Sequence, residues 1–192
     1  QYDDIEKYLN VVAKEMDQCI QITDRLLRLS ASPAGQLELV DMHVAVKDIL
    51  SLVKWDANDA SITLNESFPQ QPLRVFAHES EMRMLILNLV QNAFHAMPNG
   101  GVLSISGSLE GGDVVVKFED TGVGIPAEFV SKIFTPFFSR RADDIHGTGL
   151  GLPISRSIVQ NLEGSLDVES EVGKGSCFIV RIPEATAERL TS

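Results

Sequence analysis

Two glycine-rich turns hold the residues of this sequence whose types and spacing are best suited to chemistry. The first, DTGVG, covers residues 120–124, and the second, GTGLG, covers residues 147–151. Glycine lets the backbone turn sharply or approach a ligand closely. The second turn leads directly into a periodic apolar segment, so its N–H groups are expected at a helix N-terminus, which is a natural phosphate site. An acid beside the first turn and a phosphate loop at the second indicate a nucleotide with its base at one turn and its phosphates at the other.

Asp120 is the candidate for recognition of the base. It ends a segment that reads as a buried strand, and a carboxylate there can accept from the amino group of adenine. The alternative interpretation is an aspartate that caps its own turn.

Two asparagines precede the turns on a strongly helical segment. Asn88 and Asn92 are one helical turn apart, so both side chains can reach one ligand. Asparagine is a mediocre helix former, and an amide oxygen suits Mg²⁺, which takes oxygen ligands. The alternative is a solvated polar helix face.

Four motifs in this order resemble the N, G1, F and G2 boxes of the catalytic ATP-binding domain of bacterial sensor histidine kinases. They are NLVQNA at 88–93, DTGVG at 120–124, FTPFF at 134–138 and GTGLGL at 147–152. Those kinases belong to a wider group that includes gyrase B, Hsp90 and MutL. The resemblance covers residues 36–183, and residues 1–32 match the same family.

The resemblance implies ATP and Mg²⁺ as cofactors, with Asn92 and Asn88 as the metal ligands and the catalytic residues. The residues that would contact the nucleotide are Asn88, Asn92, His95, Asp120, Gly122, Gly124, Ile125, Gly147, Thr148, Gly149, Leu150 and Gly151.

The residue at position 88 separates two kinds of chemistry. In the related hydrolysing ATPases a glutamate that activates water stands where Asn88 stands, and an amide cannot act as a base near neutral pH. The pattern therefore resembles a domain that presents ATP for in-line transfer to a histidine. The rivals are a hydrolysing ATPase and a nucleotide-binding interaction module without transferase activity.

The loop at residues 134–146 is a candidate ATP lid. Its aromatics are interpreted as anchors of the lid rather than as groups that stack on the base. Its two arginines are candidates for the γ-phosphate or the partner helix, and otherwise for solvated surface. These residues are Phe134, Phe137, Phe138, Arg140 and Arg141.

The elements that must position these residues alternate between helical and strand-like patterns. They predict an α/β fold, a two-layer α/β sandwich with a mixed sheet, preceded by one long dimerisation helix. The expected strands are 36–41, 62–64, 74–76, 102–108, 114–119, 164–169 and 175–181. The expected helices are 44–55, 79–97, 126–133 and the segment after Gly149.

Residues 3–30 show alternating steps of four and three between apolar positions, which is typical of a coiled-coil or bundle seam. This helix must bury its stripe against its own domain or against a partner chain. The segment resembles the second helix of the kinases' dimerisation and phosphotransfer hairpin. We therefore expect a homodimer through residues 3–30, and a partial dimerisation domain at 1–32, a catalytic domain at 33–183 and a tail at 184–192.

The resemblance also implies partners. The phosphoacceptor would lie on a His-bearing helix of the same full-length kinase, because the four histidines lie outside 1–30 and outside the family's HE-type motif. They are His43, His78, His95 and His146. A response regulator receiver domain would accept the phosphoryl group in turn.

Composition bounds the remaining possibilities. A net charge of −11 argues against a nucleic-acid-binding surface. No apolar run approaches the ~20 residues that a membrane span requires, so we expect no membrane contact from this sequence. Cys19 and Cys177 are interpreted as a reduced pair, in a cytoplasmic protein or the cytoplasmic part of a membrane-bound sensor. The start within an amphipathic helix favours a part of a longer protein.

Overall fold

The computed structural model describes residues 37–138 and 148–186, which all fall in one compact unit, Gly35–Ser192. The predicted helix at 3–30, residues 139–146 of the candidate lid together with Gly147, and residues 187–192 of the predicted tail lie outside the described residues. None of the described helices is long and apolar enough to cross a membrane.

The described segments contain the following elements in chain order. The strands are β1 (Glu38–Asp41), β2 (Ile62–Ser67), β3 (Arg74–Ala77), β4 (Gly101–Glu110), β5 (Asp113–Asp120), β6 (Ser165–Glu171) and β7 (Gly175–Pro183). The helices are α1 (Met42–Leu52), α2 (Lys54–Asp59), α3 (Glu79–Ala96), α4 (Ala127–Val130) and α5 (Gly151–Asn161).

A five-stranded sheet with the order β2-β4-β5-β7-β6 forms one layer. β2 runs parallel to β4, and the other neighbouring pairs are antiparallel. β4 joins β5, and β6 joins β7, through tight glycine turns, as the sequence predicts for hairpins. β5 is the middle strand and pairs with β4 on one side and β7 on the other. Its last residue, Asp120, therefore lies at the end of a strand that is hydrogen-bonded on both edges.

The helices form the second layer. α3 packs against α1 and α5, and it also contacts β5 and β7 of the sheet. Alternate residues of the central strands point towards these helices and are buried, as Ile105, Val116 and Phe118 show. The mixed α/β, two-layer arrangement confirms the predicted fold class.

Three details differ from the sequence-based expectation. β1 and β3 pair with each other as a separate two-stranded sheet. The expected single helix at 44–55 is divided at Val53, which stays buried, so the apolar periodicity continues across the break and does not reveal it. The expected helix at 126–133 ends at Val130, where tighter bonds to the third residue back begin: the N–H of Lys132 donates to the carbonyl oxygen of Phe129 and that of Thr135 to Lys132, both at 2.8 Å.

Candidate functional site

Asp120 lies at the end of β5 and is only 4% exposed. Its Oδ1 accepts hydrogen bonds from the backbone N–H of Gly122 at 2.8 Å and of Ser176 at 3.3 Å. Burial raises the pKa of this carboxyl above its ordinary value, although the two N–H donors act in the opposite direction. Within the described residues its Oδ2 makes no hydrogen bond, so this oxygen is available to a donor on a ligand.

The first glycine turn is shaped by the protein's own backbone. A Cβ on Gly122 would lie 2.4 Å from the carbonyl oxygen of Ala96, and the N–H of Val123 donates to that oxygen at 2.9 Å. Gly124 has φ +72°, and a Cβ there would lie 2.2 Å from the carbonyl oxygen of Glu171. Packing of the turn against α3 and β6 therefore already requires both glycines.

The polar face of α3 is turned towards the start of α5. Asn88 Nδ2 donates to the carbonyl oxygen of Gly151 at 3.3 Å and to Ser155 Oγ at 3.4 Å. The interpretation of Asn88 as part of a solvated helix face is therefore wrong. Since Nδ2 faces two acceptors on α5, the orientation of this amide is fixed and its carbonyl oxygen points elsewhere.

Asn92 and His95 continue along the same helix. Asn92 is half-buried, and its Nδ2 is fully buried without a hydrogen-bond partner among the described residues. An amide in this position needs a partner, because a buried polar atom without one costs free energy. His95 lies in the last turn of α3 and is half-buried.

The residues around Asn92 fit a magnesium ion that is held mainly by phosphate oxygens and water. Among residues 37–138 and 148–186, no three His, Cys, Asp or Glu side chains form a metal-binding group. The amide oxygen of Asn92 is the atom that can bind the ion, because Nδ2 only donates. One amide oxygen with several waters and phosphates is a usual coordination for Mg²⁺.

The second glycine turn leads into α5. Gly149 has φ +64°, its carbonyl oxygen accepts from the N–H of Phe137 at 3.0 Å, and a Cβ on it would lie 2.5 Å from the backbone of Phe137. The N-cap of α5 is Leu150, which makes no side-chain cap. No side chain therefore caps the first turn of α5, where Gly151 and Leu152 each carry an N–H that can face an anion and Pro153 carries none.

The structure divides the predicted residues of this turn by what they can offer. The side chain of Leu150 is fully buried in the core, so Leu150 can offer a ligand only its backbone N–H. The atoms nearest to a Cβ on Gly151 belong to the side chain of Asn88, at 3.6 Å, and Thr148 is half-buried. Gly147 lies outside the described residues. At the first turn, the N–H of Ile125 is already donated to Ser170 Oγ at 2.8 Å.

The aromatic residues of the candidate lid take different positions. Phe138 packs against Phe129, with ring centroids 5.7 Å apart. The ring of Phe134 lies under the guanidinium of Arg156, 4.8 Å from ring centroid to Cζ. Phe137 is 66% exposed. Arg140 and Arg141 lie outside the described part of the chain.

Sequence reasoning missed three hydroxyl groups around the site. Ser155 is fully buried on α5 and accepts from Asn88. Ser170 and Ser176 lie opposite each other in the β6–β7 hairpin and contact at 2.9 Å between their Oγ atoms. A signal for this pair was present, because the two serines are placed symmetrically about Gly173 in the predicted turn.

Comparison with known proteins identifies one matching family, described as histidine kinase-, DNA gyrase B- and HSP90-like ATPase, over residues 77–186. The sensor histidine kinase ZraS of Escherichia coli (strain K12) is 35% identical over 177 residues, which are 90% of this chain and 37% of ZraS. Sporulation kinase C of Bacillus subtilis (strain 168) is 30% identical over 184 residues, which are 95% of this chain and 42% of that kinase. The chain thus spans about two fifths of the length of these relatives.

Solved structures show the same fold. The catalytic domain of histidine kinase ThkA has a TM-score of 0.71 and 28% identity, and the match covers 79% of this chain and all of that domain. Full-length ShkA in complex with AMPPNP has a TM-score of 0.79 and 26% identity over 95% of this chain and 39% of ShkA. ThkA in complex with the response regulator protein TrrA has a TM-score of 0.76 and 26% identity over 94% of this chain and 52% of that chain.

Proposed function

This chain belongs to the histidine kinase-, DNA gyrase B- and HSP90-like ATPase family, and from that premise we propose that it binds ATP with Mg²⁺ and transfers the γ-phosphoryl group to a histidine. It would act as the catalytic domain of a sensor histidine kinase in a two-component system. The domain arrangement that we propose is a partial dimerisation helix at 1–32, the catalytic domain at 33–183 and a tail at 184–192.

The observation that carries this proposal is the buried carboxylate of Asp120. Two backbone N–H groups hold its Oδ1, while Oδ2 makes no hydrogen bond within the described residues. Oδ2 is not among the fully buried polar atoms that lack a partner in the described segments, so a ligand can reach it. A ligand that shields this oxygen from water must itself supply a donor. The amino group of adenine would supply the donor, so the site is best suited to a base with an exocyclic amino group.

The phosphates would lie between α3 and the start of α5. The first-turn N–H groups of α5 have no side-chain cap, and Asn92 offers an unsatisfied buried amide from α3. Mg²⁺, when bound, would neutralise part of the phosphate charge there. Asn92 would be the first metal ligand, with Asn88 beside it. The other nucleotide contacts would come from His95, Gly122, Gly124, Ile125, Gly147, Thr148, Gly149, Leu150 and Gly151.

The chemistry of Asn88 favours transfer over hydrolysis. Its amide donates to Gly151 and Ser155 on α5, and an amide has no basic site with which to activate water near neutral pH. In-line phosphoryl transfer needs positioning and neutralisation of charge rather than a strong base on this residue. The nucleophile would be a histidine on another helix.

The partners that we propose follow from the relatives. The phosphoacceptor would lie on a His-bearing helix of the same full-length protein, and residues 3–30 would form a homodimer. A response regulator receiver domain would take the phosphoryl group onwards. The solved complex of ThkA with the response regulator protein TrrA supports this last partner by similarity.

The test is transfer to a supplied acceptor. The chain is mixed with the His-bearing hairpin of its own full-length protein, labelled ATP and Mg²⁺, and acid-labile label on the hairpin is measured. We expect label with the native chain and loss of label with Asn92→Ala. Ser165→Ala serves as the control, because its hydroxyl donates to the exposed carboxylate of Asp167 at 3.0 Å.

Two outcomes would contradict the proposal. ATP binding by calorimetry without any label on the hairpin would leave a nucleotide-binding interaction module. Steady release of phosphate without an acceptor, at a rate that the hairpin does not change, would indicate a hydrolysing ATPase.

A further inference from the structure

Two serines of the β6–β7 hairpin lie beside the base-recognition residue. Ser176 pairs directly with Asp120 across β5 and β7, and Ser170 pairs directly with Ser176 across β6 and β7. Side chains of directly opposed residues on neighbouring strands project to the same face of a sheet. The carboxylate of Asp120 and the hydroxyls of both serines therefore lie on one face.

Ser170 uses its complete hydrogen-bonding capacity. Its Oγ donates to the carbonyl oxygen of Gly175 at 2.9 Å, accepts from the N–H of Ile125 at 2.8 Å and contacts Ser176 Oγ at 2.9 Å. A serine hydroxyl has one proton and two acceptor lone pairs. The carbonyl oxygen of Gly175 can only accept, so we assign the proton of Ser170 to that bond. With this assignment the hydroxyl of Ser176 is the donor in the bond between the two serines.

This assignment leaves Ser176 with lone pairs only. Its one proton points to Ser170, and the carboxylate of Asp120 in its ionised form also only accepts. The two buried side chains therefore offer acceptors and no donor to a ligand on this face. An amino group fits such a surface, whereas a carbonyl oxygen in the same place meets other acceptors.

We propose that Ser170 is a positioning residue for base selection. By holding the proton of Ser176, it keeps the base site free of donors and favours 6-aminopurine over 6-oxopurine nucleotides. The inference rests on the proposed nucleotide function and adds the group that controls the choice of base. Ser170 acts through Ser176 and does not itself contact the base.

Removal of the Ser170 hydroxyl should relax this selection. The proton of Ser176 is then released, and a hydroxyl rotates to suit its new partner. It can donate to the 6-oxo group of inosine triphosphate, which the native arrangement does not permit. A hydrogen bond of this kind changes the binding ratio by about threefold to tenfold.

The experiment measures the affinities of the chain for ATP and for inosine triphosphate by calorimetry in the presence of Mg²⁺. We expect Ser170→Ala to lower the preference for ATP by about threefold to tenfold, mainly through tighter binding of inosine triphosphate. Ser170→Thr keeps a hydroxyl on a strand that tolerates β-branched residues, so it should restore the native ratio. Ser165→Ala, on the same strand but bonded to exposed Asp167, should leave the ratio unchanged.

A purely structural role for Ser170 predicts a different result. The loss of the bond to Ile125 would then weaken the binding of both nucleotides equally and lower the thermal stability of the chain. An unchanged ratio of the two affinities would overturn the inference, whereas the proposed binding of ATP would stand. The route through Ser176 is tested in a Ser176→Ala background, where Ser170→Ala should change the ratio no further, and a further change would overturn it. If the native chain binds neither nucleotide, the proposed function fails and this inference fails with it.

Discussion

The two carboxylate oxygens of Asp120 have different partners. Oδ1 is occupied by the N–H groups of Gly122 and Ser176, and these bonds join the glycine turn to β7. Oδ2 makes no hydrogen bond within the described residues and can accept from a ligand. The two sequence-based interpretations, a turn cap and a base acceptor, are therefore compatible, because each uses its own oxygen.

Replacement of Asp120 by Asn should separate stability from binding. The amide oxygen can keep both backbone bonds, but the amide NH₂ would meet the amino group of adenine. We expect ATP affinity to fall by about 10- to 100-fold, as for a lost hydrogen bond to a charged group. Calorimetry measures the affinity. Native affinity in this variant would contradict the assignment of the base site.

The pH dependence of stability follows from the same carboxylate. Burial raises its pKa in the folded protein above that in the unfolded chain. The protonated form is thus favoured by folding, and this contribution is present in acid and is lost as the pH rises through the folded-state pKa. The Asp120→Asn variant has no carboxyl group to ionise at this position, so only the native chain loses this contribution as the pH rises. The unfolding free energy of the variant minus that of the native chain should therefore increase over that pH range. Urea unfolding at several pH values checks this, and a decrease would contradict it.

Asn88 and Asn92 are chemically identical but differ in hydrogen bonding. Asn88 Nδ2 has two acceptors on α5, whereas the buried Nδ2 of Asn92 has none within the described residues. Both lie inside α3, so an exchange for Leu changes helix propensity equally at each position. Asn92→Leu removes an unsatisfied polar atom and should raise the unfolding free energy by about 1 to 2 kcal/mol.

Asn88→Leu is the matched variant for this prediction. It loses the bonds to Gly151 and Ser155, so we expect it to be less stable than Asn92→Leu by about 1 kcal/mol or more. Urea unfolding of the two variants measures the difference. Equal stabilities would show that the amide of Asn92 is satisfied in solution without a ligand.

The residues that we propose to contact a ligand were easier to identify from sequence than the residues that support them. Asn88, Asn92 and Asp120 lie in motifs whose residue types have a direct chemical use. Ser155 and Ser170 acquire their roles only from the packing of α5 on α3 and from the register of β6 on β7. A local pattern does not contain such tertiary distances, although the symmetric spacing about Gly173 does predict the pairing of Ser170 with Ser176.

At the scale of elements, the tip of the β6–β7 hairpin supports the first glycine turn. The N–H of Gly173 donates to the carbonyl oxygen of Val123 at 2.8 Å, and Ser170 accepts from Ile125. Gly175, with φ +115°, packs so closely that a Cβ would lie 1.9 Å from the carbonyl oxygen of Asp120. The hairpin thus holds the turn and the carboxylate together.

Two glycines of this hairpin should respond differently to substitution by Ala. Gly175→Ala brings a methyl group against the backbone of Asp120 and should cost about 3 kcal/mol or more. Gly173 also has a positive φ, +78°, but no atom lies within 4 Å of its missing Cβ, so Gly173→Ala should cost only about 1 kcal/mol. Thermal or urea unfolding compares them, and equal losses would mean that backbone conformation alone decides the cost.

Most elements could be predicted because their apolar periods are clear. α3 runs from Glu79 to Ala96 where the pattern predicts 79–97, and the β4–β5 hairpin has the expected turn at Gly111 and Gly112. The break at Val53 and the separate β1–β3 sheet could not be read from the sequence. The first keeps the burial pattern of a continuous helix, and the second depends on a strand pairing between distant segments.

At the scale of the whole molecule, the site is assembled from segments that are far apart in the chain. Asn88, Asp120, Gly149 and Ser176 come from a helix, a strand, a turn and another strand. They meet only because α3 and α5 pack on the same face of the central sheet. Binding therefore depends on the core as a whole.

Phe118 tests that dependence. It is 2% exposed on β5 and pairs with Ile105 and Phe178 on either side. Phe118→Ala should lower the unfolding free energy by about 3 to 5 kcal/mol through loss of burial and formation of a cavity. It should also weaken ATP binding, since Asp120 lies at the end of the same strand. Unfolding and calorimetry on the same samples check both, and a large loss of stability with native affinity would contradict the coupling.

The support of the glycine turn by the hairpin has a consequence for amide hydrogen exchange. Backbone protons in surface turns usually exchange quickly with solvent, because nothing has to open first. Here the amide protons of Val123, Ile125 and Gly173 are bonded to Ala96, Ser170 and Val123. Exchange at Ile125 and Gly173 therefore requires the hairpin tip to separate from the turn, whereas exchange at Val123 requires the turn to separate from α3. These three amides thus report on the opening of the proposed base-binding end from its two sides.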